Sequence, residues 1–182
     1  MRFFLLYLSF ALLPVTADWI NVIALSPQKT WQIQRRQVGS SSGGDPEFID
    51  FVDLKSGKIA FSFVSIRRNT DVEWSSDGTS VAINDRIATS GDFLYIFRVT
   101  NGQITLVRAP GDDALKGLLM ETYNLKSTGR FTLTGRHWLS NSALAIRVTG
   151  GGYGNDIAFE AVVNIDDAGR LLFDQKSVKQ IH

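Results

Sequence analysis

Cysteine is absent from this 182-residue chain, and histidine, methionine and proline are scarce. Without cysteine the protein has no disulfides and no thiolate chemistry, so its stability has to come from a packed core. The two histidines, His137 and His182, lack the partners that a metal site or a catalytic triad needs. We therefore expect no catalytic residue, no metal site and no cofactor, with His137 a structural or exposed residue.

Long apolar runs are also missing, except at the N-terminus. The stretch over 3–13 follows one positive charge and is shorter than the roughly 20 residues that a bilayer span needs. Small residues then favour cleavage after Ala17, although a retained membrane anchor is the alternative. We predict a signal peptide over 1–17 and a mature chain over 18–182 that is periplasmic or secreted, with no membrane span after cleavage.

An excess of basic charge is missing as well. The chain has 19 Lys and Arg against 18 Asp and Glu, and cleavage after Ala17 removes Arg2 and no acid, which leaves 18 of each. Nucleic-acid binders usually carry a basic excess or a clustered basic stripe, whereas the doublets Arg35-Arg36 and Arg67-Arg68 stand apart in this sequence. Nucleic acid is therefore not expected as a partner.

Apolar residues are abundant, and in several segments they alternate with a period of two, which is typical of β-strands. Three pairs of such segments are joined by short turns at 55–58, 100–103 and 166–170. The middle turn contains Asn101-Gly102, a pair that favours a tight primed hairpin because both central residues need positive φ. The sequence thus predicts the same hairpin three times.

A second strand pair precedes each hairpin, joined by a turn rich in Ser, Asp, Asn, Pro or Gly. We predict three four-stranded units, at about 20–65, 71–109 and 134–175, in a single β-rich domain. Periods of this length with four strands each are the signature of propeller blades. Between the second and third units, residues 112–123 have the spacing and leading acids of one short helix.

The segment from Glu73 to Ile83, Glu-Trp-Ser-Ser-Asp-Gly-Thr-Ser-Val-Ala-Ile, resembles the blade motif of TolB-type and other WD40-like β-propellers. The segments 24–29 and 137–141 resemble degenerate copies of it. The resemblance implies a propeller-like fold and a protein-binding or ligand-binding role, and it implies no catalytic residue.

Three units are too few for a closed propeller, which has about four to eight blades. We therefore expect an all-β fold of three four-stranded antiparallel blade-like units in an open or incomplete assembly. A twisted β-sandwich or barrel is the alternative, and a second copy of the chain is a further way to complete a ring. Uncovered edge strands make a homo-oligomer an open possibility.

In a blade, the loops between the second and third strands share one face with the connections between units. That loop face is expected to gather 39–47, 86–91 and 149–155 together with the inserted helix, and to bind a protein or a small ligand. Four candidate binding residues lie there: Tyr153, Asp156, Asp92 and Asp45. The three acids occupy equivalent positions in the repeat. We favour the interpretation that each accepts hydrogen bonds from backbone N–H groups of its loop over the alternative that they bind calcium together.

These observations leave three hypotheses for function. The leading one is an exported, non-enzymatic binding or protein-interaction module of unknown specificity. The second is a periplasmic enzyme inhibitor that inserts the glycine-rich loop around Tyr153 into an active site. The third is a hydrolase that uses carboxylates on the loop face.

Overall fold

The computed structural model describes residues 19–39, 46–65, 68–87, 92–108, 117, 130–152 and 155–181. Apart from the single helical position Gly117, the regular secondary structure in these ranges is entirely β. The strands are β1 (Trp19–Leu25), β2 (Trp31–Gln37), β3 (Glu47–Asp53), β4 (Lys58–Ser65), β5 (Arg68–Trp74), β6 (Ser80–Ile87), β7 (Asp92–Thr100), β8 (Gln103–Arg108), β9 (Arg130–Trp138), β10 (Ala143–Gly152), β11 (Asn155–Ile165) and β12 (Leu171–Ile181).

Successive groups of four strands form three antiparallel sheets, in which each strand pairs with the next along the chain. Sheet 1 contains β1 to β4, sheet 2 contains β5 to β8 and sheet 3 contains β9 to β12. None of the described sheets closes on itself into a barrel. The predicted fold class, three four-stranded antiparallel blade-like units, is confirmed.

The turns between strands follow the local sequence. Asn101 and Gly102 have φ values of 52° and 77°, so both central residues of the β7–β8 turn are left-handed, as the Asn-Gly pair predicts. In the β5–β6 turn the Ser75 hydroxyl oxygen accepts a hydrogen bond from the Ser80 N–H at 2.9 Å. In the β1–β2 turn the Ser26 hydroxyl accepts one from the Trp31 N–H at 3.0 Å. The blade-like motif is therefore a turn-stabilising element.

Sheet 2 lies between the other two, and both of its faces are buried. We call the face that a sheet turns toward the following sheet its forward face, and the opposite one its rear face. One cluster joins the forward face of sheet 1 to the rear face of sheet 2: Trp31, Ile33, Ile49, Phe51, Val81, Ile83, Phe97 and Val99. The other joins the forward face of sheet 2 to sheet 3: Ala82, Leu94, Ile96, Leu133, Leu144, Ile146, Val148, Phe159, Ala161, Val163 and Ile165.

Two tryptophans hold corresponding places in this stack. Trp74 pairs with Val81 and packs, partly buried, against the first cluster. Trp138 pairs with Leu144 and packs, also partly buried, against the second. Each ring therefore covers the contact of its own sheet with the preceding one.

Two predictions concern residues outside the described ranges. The signal peptide over 1–17 lies outside the described residues, and so does the helix over 112–123 except for Gly117. No helix in the described part of the chain has the length and apolar character that a membrane crossing requires.

Candidate functional site

The first strands of the three sheets converge on a groove. In the stack, β1 contacts β5, and β5 contacts β9. Between them lies a cleft of about 340 Å³, which we call the axial groove and which is lined by Ile23, Thr70, Asp71, Val72, Glu73, Asn84, Arg86, Thr134, Gly135 and Arg136.

Strand alternation places two acids in this groove. In β5, Val72 and Trp74 belong to the buried contact with sheet 1. Successive side chains of a strand point to opposite faces, so Asp71 and Glu73 share the other face, and both are exposed. The groove therefore carries two carboxylates about 7 Å apart along one strand, the distance that two residues of rise imply.

Two arginines balance these acids. Arg86 of β6 lies 3.4 Å from Asp71, measured from guanidinium nitrogen to carboxylate oxygen, and both side chains are about half exposed. Arg136 reaches the groove from β9 and is exposed. Ion pairs this open to water add little stability, so their charges are accessible to a ligand.

The walls behind these charges are fixed by hydrogen bonds between sheets 2 and 3. The buried Asn84 amide nitrogen donates to the Gly135 carbonyl oxygen at 2.9 Å, and its Oδ1 accepts from the Gly135 N–H at 2.8 Å. Lower in the groove, the Trp138 indole N–H donates to the Glu73 carbonyl oxygen at 2.8 Å. The groove is a rigid feature of the interface rather than a gap between loops.

The backbone of the groove also offers hydrogen bonds. Strands β5 and β9 are the first strands of their sheets, and within the described sheets each pairs with a neighbour on one side only. The edge of such a strand presents N–H and C=O groups to whatever lies beside it. Some of these groups are already used, because Asn84 bonds to both backbone groups of Gly135 and Trp138 bonds to the Glu73 carbonyl. Polar side chains of both signs thus accompany strand edges that are partly occupied.

A second cleft, of about 580 Å³, lies at the opposite end of sheets 1 and 2, among the hairpin turns. It is lined by Lys29, Thr30, Trp31, Asp53, Leu54, Lys55 and Gly102. The pKa of Asp53 is held below its usual value, chiefly by a hydrogen bond from the Ser56 hydroxyl and also by the Lys55 N–H. Since that carboxylate is committed to its own turn, this cleft offers less for a ligand than the axial groove.

The four binding residues predicted from sequence are not tested by this geometry. Tyr153 and Asp45 lie outside the described residues. Asp92 and Asp156 lie in β7 and β11, and their side chains lie outside what the structure describes. Convergence of these residues on one face stays a prediction.

His137, expected to be a structural or exposed residue, is exposed on β9. Within the described ranges, no group of three or more His, Cys, Asp or Glu side chains is placed to hold a metal ion. Sequence reasoning missed the groove residues Asp71, Glu73 and Arg136. The alternation Asp-Val-Glu-Trp signalled two acids on one strand face, but the residues facing them come from another sheet.

No protein-family model, no curated protein and no solved structure matches this chain.

Proposed function

We propose that this chain is an exported, non-enzymatic binding module that holds an extended peptide segment in the axial groove. The observation that carries the proposal is the coincidence, in one groove, of accessible charges of both signs with the outer edge of β5, on which Trp138 occupies the Glu73 carbonyl. Its volume of about 340 Å³ lies at the small end of the range of ligand sites, which suits a short segment.

The strand edges supply the affinity in this proposal. An extended peptide that lies beside β5 adds a strand to sheet 2, and its backbone hydrogen bonds are independent of its sequence. The Asn84–Gly135 bonds hold the two edges in place before binding. A site that needs no reorganisation loses less free energy on binding than a mobile loop does.

The charges supply the specificity. Asp71 and Glu73 favour a basic side chain on the segment, whereas Arg136 favours an acidic side chain or a C-terminal carboxylate. Arg86 already lies beside Asp71, which leaves Glu73 and Arg136 as the residues we expect to select between ligands.

The groove acids also give the hydrolase hypothesis a concrete form. Asp71 and Glu73 lie on one strand face at a spacing compatible with a pair of catalytic carboxylates. Arg86 beside Asp71 favours the binding role, because it stabilises one member of the pair in a fixed ion pair. Asp71→Asn and Glu73→Gln variants assayed on a panel of glycosides and esters separate the two: hydrolysis that both substitutions abolish supports the enzyme.

Selection from a library of random linear peptides tests the binding proposal. We expect the wild-type protein to enrich peptides with an acidic residue at one position and Arg136→Glu to lose that preference. Lys29→Glu, at the second cleft, is the charge-matched control and should select the same peptides as wild type. Absence of enrichment, or enrichment that Arg136→Glu leaves unchanged, contradicts the proposal.

Export is tested separately, on protein recovered from the cell envelope or the medium. Mass spectrometry should find a chain that begins at Asp18, since a short apolar segment with a small-residue exit favours cleavage. An intact N-terminus on a membrane-bound form contradicts this part of the proposal.

A further inference from the structure

The rear face of sheet 1 has positions that correspond to buried positions on the rear faces of sheets 2 and 3. Strand register and the turn hydrogen bonds align the first strands β1, β5 and β9. Three rear positions correspond across the sheets: Leu25 with Trp74 and Trp138, Val22 with Val72 and Gly135, and Ile20 with Thr70 and Leu133.

Burial at these positions differs between the sheets. Thr70 and Leu133 are only 7% and 8% exposed, because each packs on the preceding sheet. Ile20, at the corresponding place, is 53% exposed, and Val22 is 50% exposed. On the outer strand of the same face, Val64 is 55% exposed. Apolar side chains are thus kept on a sheet face that no described residue covers, and such patches mark interaction surfaces.

The centre of this face is polar, but its polar groups already hydrogen-bond to one another. Asp50 is fully buried and accepts hydrogen bonds from the Arg36 guanidinium at 2.6 and 3.1 Å and from the Ser62 hydroxyl at 2.6 Å. The Gln34 amide lies 3.4 Å from the same carboxylate. Because these groups satisfy one another, a partner can cover the face without leaving a buried charge unpaired.

The forward face of sheet 3 has the opposite character. Its positions Ala143, Ala145 and Arg147 correspond to Ser80, Ala82 and Asn84 of sheet 2, on the face where Ala82, Leu94 and Ile96 pack against sheet 3. The positions that correspond to Ile96 and Leu94 are Val162 and Glu160. Asn84 reaches across that contact to the backbone of Gly135. Arg147 occupies the corresponding place, and its buried Nε has no hydrogen-bond partner in the described part of the chain.

We propose that the forward face of sheet 3 packs on the rear face of sheet 1 of a second copy. The contact then continues the stacking already present between sheets 1, 2 and 3, with Ala143 and Ala145 facing the bulky side chains of β1. Two such contacts, related by a two-fold axis, close a ring of six sheets, which lies within the range of about four to eight blades that rings adopt. The ring also places β1 of each copy beside β9 of the other, which encloses the axial groove.

Charge-swap variants and analytical ultracentrifugation test this proposal, independently of any ligand. Wild-type protein should sediment with twice the mass of one chain. Val22→Lys and Ala145→Glu should each shift the protein toward the single-chain mass. An equimolar mixture of the two should recover the double mass, because one contact in the mixed dimer is native and the other pairs lysine with glutamate. Leu106→Lys, at a 41% exposed position on β8, is the matched control and should stay dimeric.

Circular dichroism of each variant verifies folding, and Ile59→Lys with Leu172→Glu is a second pair, at exposed positions near the hairpin ends of the outer strands on the same two faces. A single-chain mass for wild type overturns the proposal. A second result also overturns it: Val22→Lys dissociates the dimer, Ala145→Glu does not, and mixing the two variants does not recover the double mass. That result indicates that the rear faces of two copies contact each other.

Discussion

Asn84 and Gly135, 51 residues apart, exchange two hydrogen bonds across the interface between sheets 2 and 3. The amide side chain thereby satisfies both backbone groups of a residue in the next sheet. Gly135 can come this close because it has no Cβ: an added one would lie 3.1 Å from Leu94 Cδ1 and 3.3 Å from Ala82 Cβ. The pair therefore fixes both the spacing and the register of two sheets.

Removal of this clamp should destabilise the fold. Asn84→Ala leaves the Gly135 N–H and carbonyl buried without partners, and each orphaned group costs about 1 to 3 kcal/mol. We expect a loss of roughly 2 kcal/mol or more in the free energy of unfolding, measured by urea denaturation at a fixed protein concentration. Asn141→Ala is the matched control. It loses a hydrogen bond from the Ser76 hydroxyl to Asn141 that also joins sheets 2 and 3 but is exposed, so it should cost well under half as much.

The buried carboxylate on the rear face of sheet 1 gives a second prediction. Arg36→Met leaves Asp50 without its guanidinium, and loss of one partner of a buried pair costs about 3 to 5 kcal/mol. The double variant Arg36→Met, Asp50→Leu removes both charges and should recover part of that loss. The Ser62 donor that it frees is exposed to water, whereas the Gln34 amide that it also frees is buried. A double variant less stable than Arg36→Met in urea denaturation would contradict this account.

Acid should weaken the β5–β6 turn through Asp77. Burial raises the pKa of this carboxyl, but hydrogen bonds from the Thr79 N–H and from the Ser75 and Thr79 hydroxyls outweigh it and hold the pKa below its usual value. Because the pKa of Asp77 is lower in the folded state than in the unfolded state, its ionised form stabilises the fold. This stabilisation is complete above the pKa of the unfolded state, about 3.9, and is lost as the pH falls through the pKa of the folded state.

Asp77→Asn tests this linkage because asparagine keeps the acceptor oxygen but does not titrate. The variant should lose less free energy of unfolding than wild type between about pH 6 and about pH 2, measured by urea denaturation at both pH values. Equal losses in the two proteins would show that Asp77 does not contribute to acid unfolding.

Much of the fold follows from local sequence signals. The period-two alternation, the left-handed Asn101-Gly102 turn and the serine turns are decided within a few residues, so the three four-stranded sheets could be predicted. The polar Gln34, which stands where sheets 2 and 3 have the core residues Ile83 and Ile146, becomes meaningful only once strand register assigns its side chain to an uncovered face.

The candidate groove could not be predicted in the same way. Asp71 and Glu73 read locally as the polar side of an ordinary strand, and their significance depends on Arg136, which the packing of sheet 3 brings to the same groove. No local pattern encodes a contact between residues more than 60 positions apart. The expectation of a binding surface on the loop face depends on residues such as Tyr153 that lie outside the described ranges.

The two corresponding tryptophans give the last prediction, because they differ in one hydrogen bond. The Trp74 indole N–H is buried without a hydrogen-bond partner among the described residues, and its ring meets Phe51 edge-on, with centroids 6.5 Å apart. The Trp138 indole N–H donates to the Glu73 carbonyl oxygen. Phenylalanine removes the N–H from both sites with a similar loss of volume, so the comparison isolates the hydrogen bond.

Trp138→Phe should therefore destabilise the protein by about 1 kcal/mol more than Trp74→Phe, the usual net worth of one hydrogen bond. Urea denaturation of both variants at a fixed concentration measures the difference. Trp138→Phe also removes a tie between sheets 2 and 3 at the wall of the axial groove, so it should weaken capture of the peptides that wild type selects. If Trp74→Phe proves the more costly change, packing against Phe51 outweighs the hydrogen bond, and the wall of the groove does not depend on Trp138.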